Sequence, residues 1–173
     1  KVIDGDDQGG ISKAVNWKGG GGFRYFRLGP KLEPRVLIED PAKSYHAKHR
    51  VSENDIFDNR LIFGDNLLAL KALEQEFTGQ VKCIYIDPQY NTGKDGFAYK
   101  DALQHSSWNS MLIERAQQSS SLLKQDGALF ASIDEVEQPS LRQLLNDVFG
   151  EENHVADMIW AAARLTVVMP EPQ

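Results

Sequence analysis

From about residue 60 onward, apolar runs of strand length alternate with amphipathic stretches, and this alternation restricts the fold more than any other feature. RLIF, residues 60–63, is a short strand candidate. Gly64–Asp65–Asn66 then makes a turn, with Asp65 or Asn66 placed to cap the following helix. That helix, about 67–77, carries Leu70, Leu73 and Phe77 on one face at spacings of three and four. VKCIYI (81–86) is a second strand, continuous enough in apolar character to be buried on both faces. A polar loop runs from Asp87 to about Gln104. Ser106 or Ser107 can cap a helix carrying Trp108, Met111, Leu112, Leu122 and Leu123, closed by Asp126–Gly127. ALFASI (128–133) is a third strand. Residues 135–149 form a helix with Leu141, Leu144, Leu145 and Val148 inward, and Pro139 must stand in its first turn, where no helical N–H is lost. HVADMIW (154–160) is a fourth strand.

Strand and helix in strict alternation predict an α/β fold with a mostly parallel sheet and right-handed crossovers. Ligands of such sheets bind outside the carboxyl ends of the strands. Three acids fall there: Asp65 after RLIF, Asp87 after VKCIYI and Asp134 after ALFASI. Helix capping accounts for Asp65 and Asp134 as well as any ligand does. Asp87 differs, because a long loop follows it and no helix starts there. Its neighbours are Pro88, Gln89 and Tyr90, so a carboxylate, a rigid turn and a flat ring stand together at a strand tip.

Residues 1–30 depart from this pattern. Glycine is dense, FRYFRL is the one strand-like stretch, and Gly29–Pro30 marks a boundary. Gly19–Gly22 could cradle a phosphate if a helix followed, but a strand-like run follows, so a flexible loop is expected. The chain has 173 residues and a net charge of −6, which does not describe a free-standing nucleic-acid binder; the one basic stretch, KSYHAKHR (43–50), reads better as a solvated loop. The single cysteine, Cys83, rules out an internal disulfide and is expected to be a small buried side chain. Four scattered histidines make a metal site improbable. No apolar run reaches the roughly 18 residues of a membrane span, and no secretory leader is visible, so a cytoplasmic protein with no membrane partner is expected.

Asp87–Pro88–Gln89–Tyr90 resembles the Asp-Pro-Pro-Tyr motif of amino-group DNA methyltransferases. With its flanks the match sharpens: NRLIFGDNLLALKAL, VKCIYIDPQYNTG, DGALFASIDE and LLNDVFGEENHVADMIW, in that order, resemble the modification subunits of Type III restriction-modification systems. The resemblance covers about residues 31–160 and implies a Rossmann-like methyltransferase fold, incomplete here, with residues 31–173 as a catalytic half. It implies an adenine-specific enzyme using S-adenosylmethionine, without metal, on double-stranded DNA with the adenine flipped out. A homodimer and a restriction (helicase-nuclease) subunit are the partners it implies. By the same resemblance Asp87, Pro88 and Tyr90 are catalytic, Asp65 and Asp87 face the cofactor, and Tyr90, Asn91 and Thr92 face the substrate.

The chemistry suits those residue types. An adenine amino group is a poor nucleophile, because its lone pair is delocalised into the ring. Asp87 can accept from one amine hydrogen and the Pro88 carbonyl from the other, stabilising the charge that develops on transfer. A flipped base needs a stacking surface, and Tyr90 offers one worth about 1–3 kcal/mol. Three departures stand against the match. Gln89 replaces a proline that would stiffen the loop, by about 0.4–1 kcal/mol. The family's Phe-x-Gly-x-Gly cofactor motif and its target-recognition region are not found in the sequence. Residues 4–24 resemble a segment from the family's C-terminal region, here placed first. A non-catalytic remnant or assembly module of such an enzyme is therefore the alternative, and an amino-methyltransferase acting on RNA or protein a more distant one. The 173 residues alone are expected to be inactive.

Overall fold

The computed structural model describes residues 3–6, 9–30, 36–47, 52–53, 55–91 and 104–159. Within them the chain is mixed α/β with two small sheets. A short helix α1 (Gly10–Ala14) precedes β1 (Gly22–Leu28), β2 (Leu37–Glu39), β3 (Tyr45–His46) and β4 (Asn59–Phe63). Then follow α2 (Asn66–Phe77), β5 (Val81–Ile86), α3 (His105–Leu122), β6 (Leu123–Ala131), α4 (Gln138–Phe149) and a single 3-10 turn, Glu151–Asn153.

The strand pairing differs from the single sheet expected. β4 runs parallel to β1, with Tyr25 opposite Leu61, while β2 and β3 pair antiparallel with the two halves of β1. A strand has two edges, and the β4 register overlaps both shorter strands, so β2 and β3 share the other edge of β1. FRYFRL from the first 30 residues thus lies in one sheet with strands that follow residue 30. Arg24 on β1 ties this sheet together, its guanidinium donating to Glu39 at 2.6 and 3.1 Å and to Asp58 at 3.0 Å. The glycine run is no flexible loop: Gly19–Gly22 are buried, and Gly20 N–H donates to Ile3 O at 2.7 Å. Gly20 has φ +112°, and a Cβ there would stand 2.7 Å from the Asp55 carboxylate, so only glycine fits the corner.

β5 and β6 form the second, wholly parallel sheet, with Ile84 opposite Leu129 and Tyr85 opposite Phe130. α3 is the crossover and runs straight into β6 at Leu123, so the Asp126–Gly127 turn expected to close the helix lies within the strand, which starts before the expected Ala128. The core lies between this sheet, α3 and α4. Trp108, Leu112, Ala116, Leu141 and Leu144 are buried, with Ala131, Ile133, Leu145 and Val148 packed against them. Burial of each large apolar side chain contributes roughly 1.5–3 kcal/mol, so this seam, rather than the β1 sheet with its one buried apolar residue Phe26, anchors the described chain.

Other expectations are corrected. VKCIYI is covered on one face only. Ile84 and Ile86 are half-buried, while Tyr85 is 65% and its neighbour Phe130 45% exposed. Cys83 shares this open face and is exposed. The continuous apolar run gave no hint of this, because hydropathy does not say whether a second layer is present. HVADMIW is not a strand: residues 154–159 are exposed coil with no strand partner among the described residues, and Trp160 lies outside them. Arg142 on α4 holds the segment instead, reaching His154 at 2.7 Å and Asp157 at 2.8 Å. Among the described residues no helix is long and apolar enough to cross a membrane.

Candidate active site

The motif sits where the sheet argument puts it, at the carboxyl end of β5. Asp87–Asn91 leaves Ile86 as coil, beside the carboxyl end of β6, where Ser132 N–H donates to Ile86 O at 3.0 Å. Asp87 is exposed, and Pro88, Gln89, Tyr90 and Asn91 are half-buried. Thr92 lies outside the described residues.

The Asp87 carboxylate beside the Tyr90 hydroxyl pushes the phenol pKa above its ordinary value, burial adding to the shift and Ser132 opposing it. Ser132 also bonds the Tyr85 hydroxyl, at 2.5 Å. Tyr85 and Ser132 are thus linked by their hydroxyl groups across the ends of two strands, with Asp87 and Tyr90 beside them.

Two further contacts fix the loop from the helix side. Trp108, fully buried one turn into α3, donates its indole N–H to Gln89 O at 2.8 Å. Asn91, at φ +55°, donates from Nδ2 to Glu137 Oε1 at 2.5 Å. Asparagine tolerates this left-handed conformation better than most residues. Glu137, the residue before α4, is 0% exposed and also takes His105 Nδ1 at 2.8 Å. Burial pushes its carboxyl pKa up, but hydrogen bonds from Asn91, Ser140 and His105 outweigh it and hold the group below its ordinary value.

Asp65, read from sequence as a possible cofactor ligand, caps α2. Its Oδ1 accepts from Leu67 and Leu68 N–H at 3.0 and 3.2 Å, and its Oδ2 takes Arg115 of α3 at 3.3 Å. Its bonds thus run to two helices and not to the motif loop. Asp134 accepts from Val136 N–H at 3.4 Å, a local turn upstream of α4. Ser106 and Ser107 fall inside α3, whose N-cap is Gln104. The sequence reading missed Glu137, Ser132 and the indole of Trp108. Glu137 carried no signal of its own, standing in an acidic stretch with Asp134 and Glu135. No group of three or more metal-binding side chains occurs among the described residues.

What this strand end can do chemically is hold an exposed carboxylate and an adjacent carbonyl on a pinned loop, beside an aromatic face. Known proteins share the sequence that builds it. Residues 81–168 match the family model described as DNA methylase. The chain is 43% identical over 104 residues to the probable type III restriction-modification enzyme HindVI Mod subunit of Haemophilus influenzae, covering 60% of this chain and 14% of that protein. It is 33% identical over 182 aligned positions to the EcoP15I Mod subunit of Escherichia coli, and 34% over 177 to the EcoPI Mod subunit of Escherichia phage P1. Those two alignments cover 88% and 85% of this chain but 27% and 26% of the relatives. The chain therefore spans about a quarter or less of the length of these relatives.

Proposed function

The chain belongs to the DNA methylase family, and from that premise we propose that it carries the amine-binding catalytic loop of an adenine-specific DNA methyltransferase of a Type III restriction-modification system. One observation carries this reading. Asp87 and Pro88 stand at the open end of β5, with the loop fastened at Gln89 and Asn91. In that setting Asp87 accepts one amine hydrogen and the Pro88 carbonyl the other. Both acceptors are held in place before the substrate arrives, so the charge that develops on the nitrogen is met without reorganisation of the loop. Tyr90 stacks on the base, with its hydroxyl beside Asp87. Asn91 and Thr92 complete the substrate side in this reading, Asn91 by shaping the turn.

S-adenosylmethionine, when bound, supplies an electrophilic methyl group. Asp65, expected to face it, is instead engaged by α2 and Arg115. The parallel β5–α3–β6 unit is consistent with a Rossmann-like methyltransferase sheet to which further strands belong. The proposed setting is cytoplasmic, acting on a flipped adenine in duplex DNA, in a dimer paired with a restriction subunit.

The test is transfer of labelled methyl groups from S-adenosylmethionine to duplex DNA. It uses the purified chain alone and with the remaining portion of a Type III modification subunit supplied in trans. Nucleoside mass spectrometry then identifies the product. N6-methyladenine in either arm supports the reading. Methyl on cytosine, or no transfer in both arms, overturns it.

A further inference from the structure

We infer that Glu137 is a positioning residue: its carboxylate latches the motif loop so that Asp87, Pro88 and Tyr90 are presented together to the substrate. The inference rests on the methyltransferase reading above. Glu137 is the one charged side chain buried among the described residues. A buried carboxylate is costly unless donors surround it, so its surroundings show what it is kept for. Its donors do not come from one element. Asn91 is 46 residues away in sequence on the loop after β5, His105 opens α3, and Glu137 itself precedes α4. The donors from Asn91 and His105 both meet Glu137 Oε1 at the carboxyl end of the sheet, while Oε2 is buried with no hydrogen-bond partner among the described residues. Glu137 stands at the N-cap position of α4, near the positive end of the helix dipole, though its side chain makes no capping hydrogen bond to the first-turn amides.

The pattern of fastening along the loop carries the inference further. Gln89 is held through its carbonyl by Trp108, and Asn91 through its side chain by Glu137. The residues between and before them, Asp87, Pro88 and Tyr90, are those assigned to the substrate. Fastened and functional positions thus interleave. A carboxylate that only stabilised the fold would not need its partner on the one described residue of the loop with a left-handed backbone, φ +55°. Releasing Asn91 frees that turn, and with it the direction of Tyr90.

Glu137→Gln keeps the volume and removes the charge. Hydrogen exchange on the full 173-residue chain should show the amides of 87–91 exchanging about tenfold faster, with those of α4 beyond Leu141 unchanged. In the methyl-transfer assay, kcat should fall about tenfold with KM for DNA nearly unchanged. Asn91→Gly, which removes the donor without straining a positive φ, should reproduce the loop effect and keeps the test open should Glu137→Gln fold poorly. Asn91→Asp combined with Glu137→Gln, which reverses donor and acceptor, should recover part of the lost protection. Unchanged protection at 87–91 in both single variants overturns the latch. So does a loss spread equally over the loop and α4, which would mark a structural acid only. A parent protein that transfers no methyl group either alone or with the remaining portion in trans overturns the transferase reading, and with it the catalytic purpose of the latch, whatever the exchange shows.

Discussion

Trp108 and Gln89 are joined by an indole N–H to carbonyl hydrogen bond of 2.8 Å, so the residue that departs from the motif is held by its backbone and not by its side chain. Any residue supplies that carbonyl, proline included. The Gln89 amide adds little in return, since its Oε1 is buried with no hydrogen-bond partner among the described residues. Gln89→Pro should therefore keep the bond to Trp108, remove a poorly satisfied polar group and stiffen the loop. The expected gain is about 0.4–1 kcal/mol, a rise of roughly 1–4 °C in melting temperature, with turnover modestly higher. A fall in both quantities would mean that the glutamine amide makes a contact that this account lacks.

Trp108→Phe tests the other partner. The ring is fully buried in the α3–α4 seam, so the smaller ring leaves a void, and Gln89 O loses its donor. The combined loss should be about 2–4 kcal/mol. Urea unfolding checks it, with the slope unchanged if only the native state is affected.

Asp87→Ala should abolish methyl transfer while leaving the melting temperature within about 2 °C of the parent. Asp87 is exposed and caps no helix, so the fold loses little with it. Transfer at near the parental rate would remove it from the catalytic set.

Tyr90→Phe keeps the stacking face and loses the hydroxyl beside Asp87. Transfer should fall by no more than about tenfold, whereas Tyr90→Ala should weaken DNA binding by about 1–3 kcal/mol, the worth of one stacked base. Comparing DNA affinity with melting separates this from a core role, in which Ala would lower both together.

Local structure was largely legible in the sequence, and long-range pairing was not. Leu70, Leu73 and Phe77 defined α2 to within a residue, Asp65 caps it as expected, and Pro139 stands in the first turn of α4. These depend on neighbours within a few positions. The partner of β4 depends on which distant strand offers an edge, and that proved to be β1, from a segment whose glycines suggested a loop. The open face of β5 escaped for a similar reason: Cys83 and Tyr85 have strand character whether or not another layer covers them. The placement of Asp87 at the end of β5 was legible because an apolar run that stops at an acid is a local feature. Glu137 was not, because nothing distinguishes it from Glu135 except partners 32 and 46 residues away.

The Glu137 cluster also fixes a pH dependence. Its carboxyl pKa is lower in the native chain than in the unfolded one, because the donors Asn91, Ser140 and His105 favour the charged form more than burial opposes it. The native state therefore binds fewer protons than the unfolded state across the window between the two values, and stability rises with pH there. The contribution is fully present above the unfolded value, about 4.3, and is lost as pH falls through the lowered native one. Glu39, Glu76 and Asp126 shift in the same direction through Arg24, Arg60 and Lys82, so the acid limb of the parent alone does not isolate Glu137. The difference between parent and Glu137→Gln does. Measured by urea unfolding, that difference should be constant above about pH 5.5 and should narrow steadily as pH falls below the ordinary carboxylate range. The exposed pairs cancel in the subtraction, since the substitution touches none of them. A difference that stays constant to pH 3 would show that the native and unfolded pKa values of Glu137 coincide, and one that widens as pH falls would show that the donors around it serve a neutral acid.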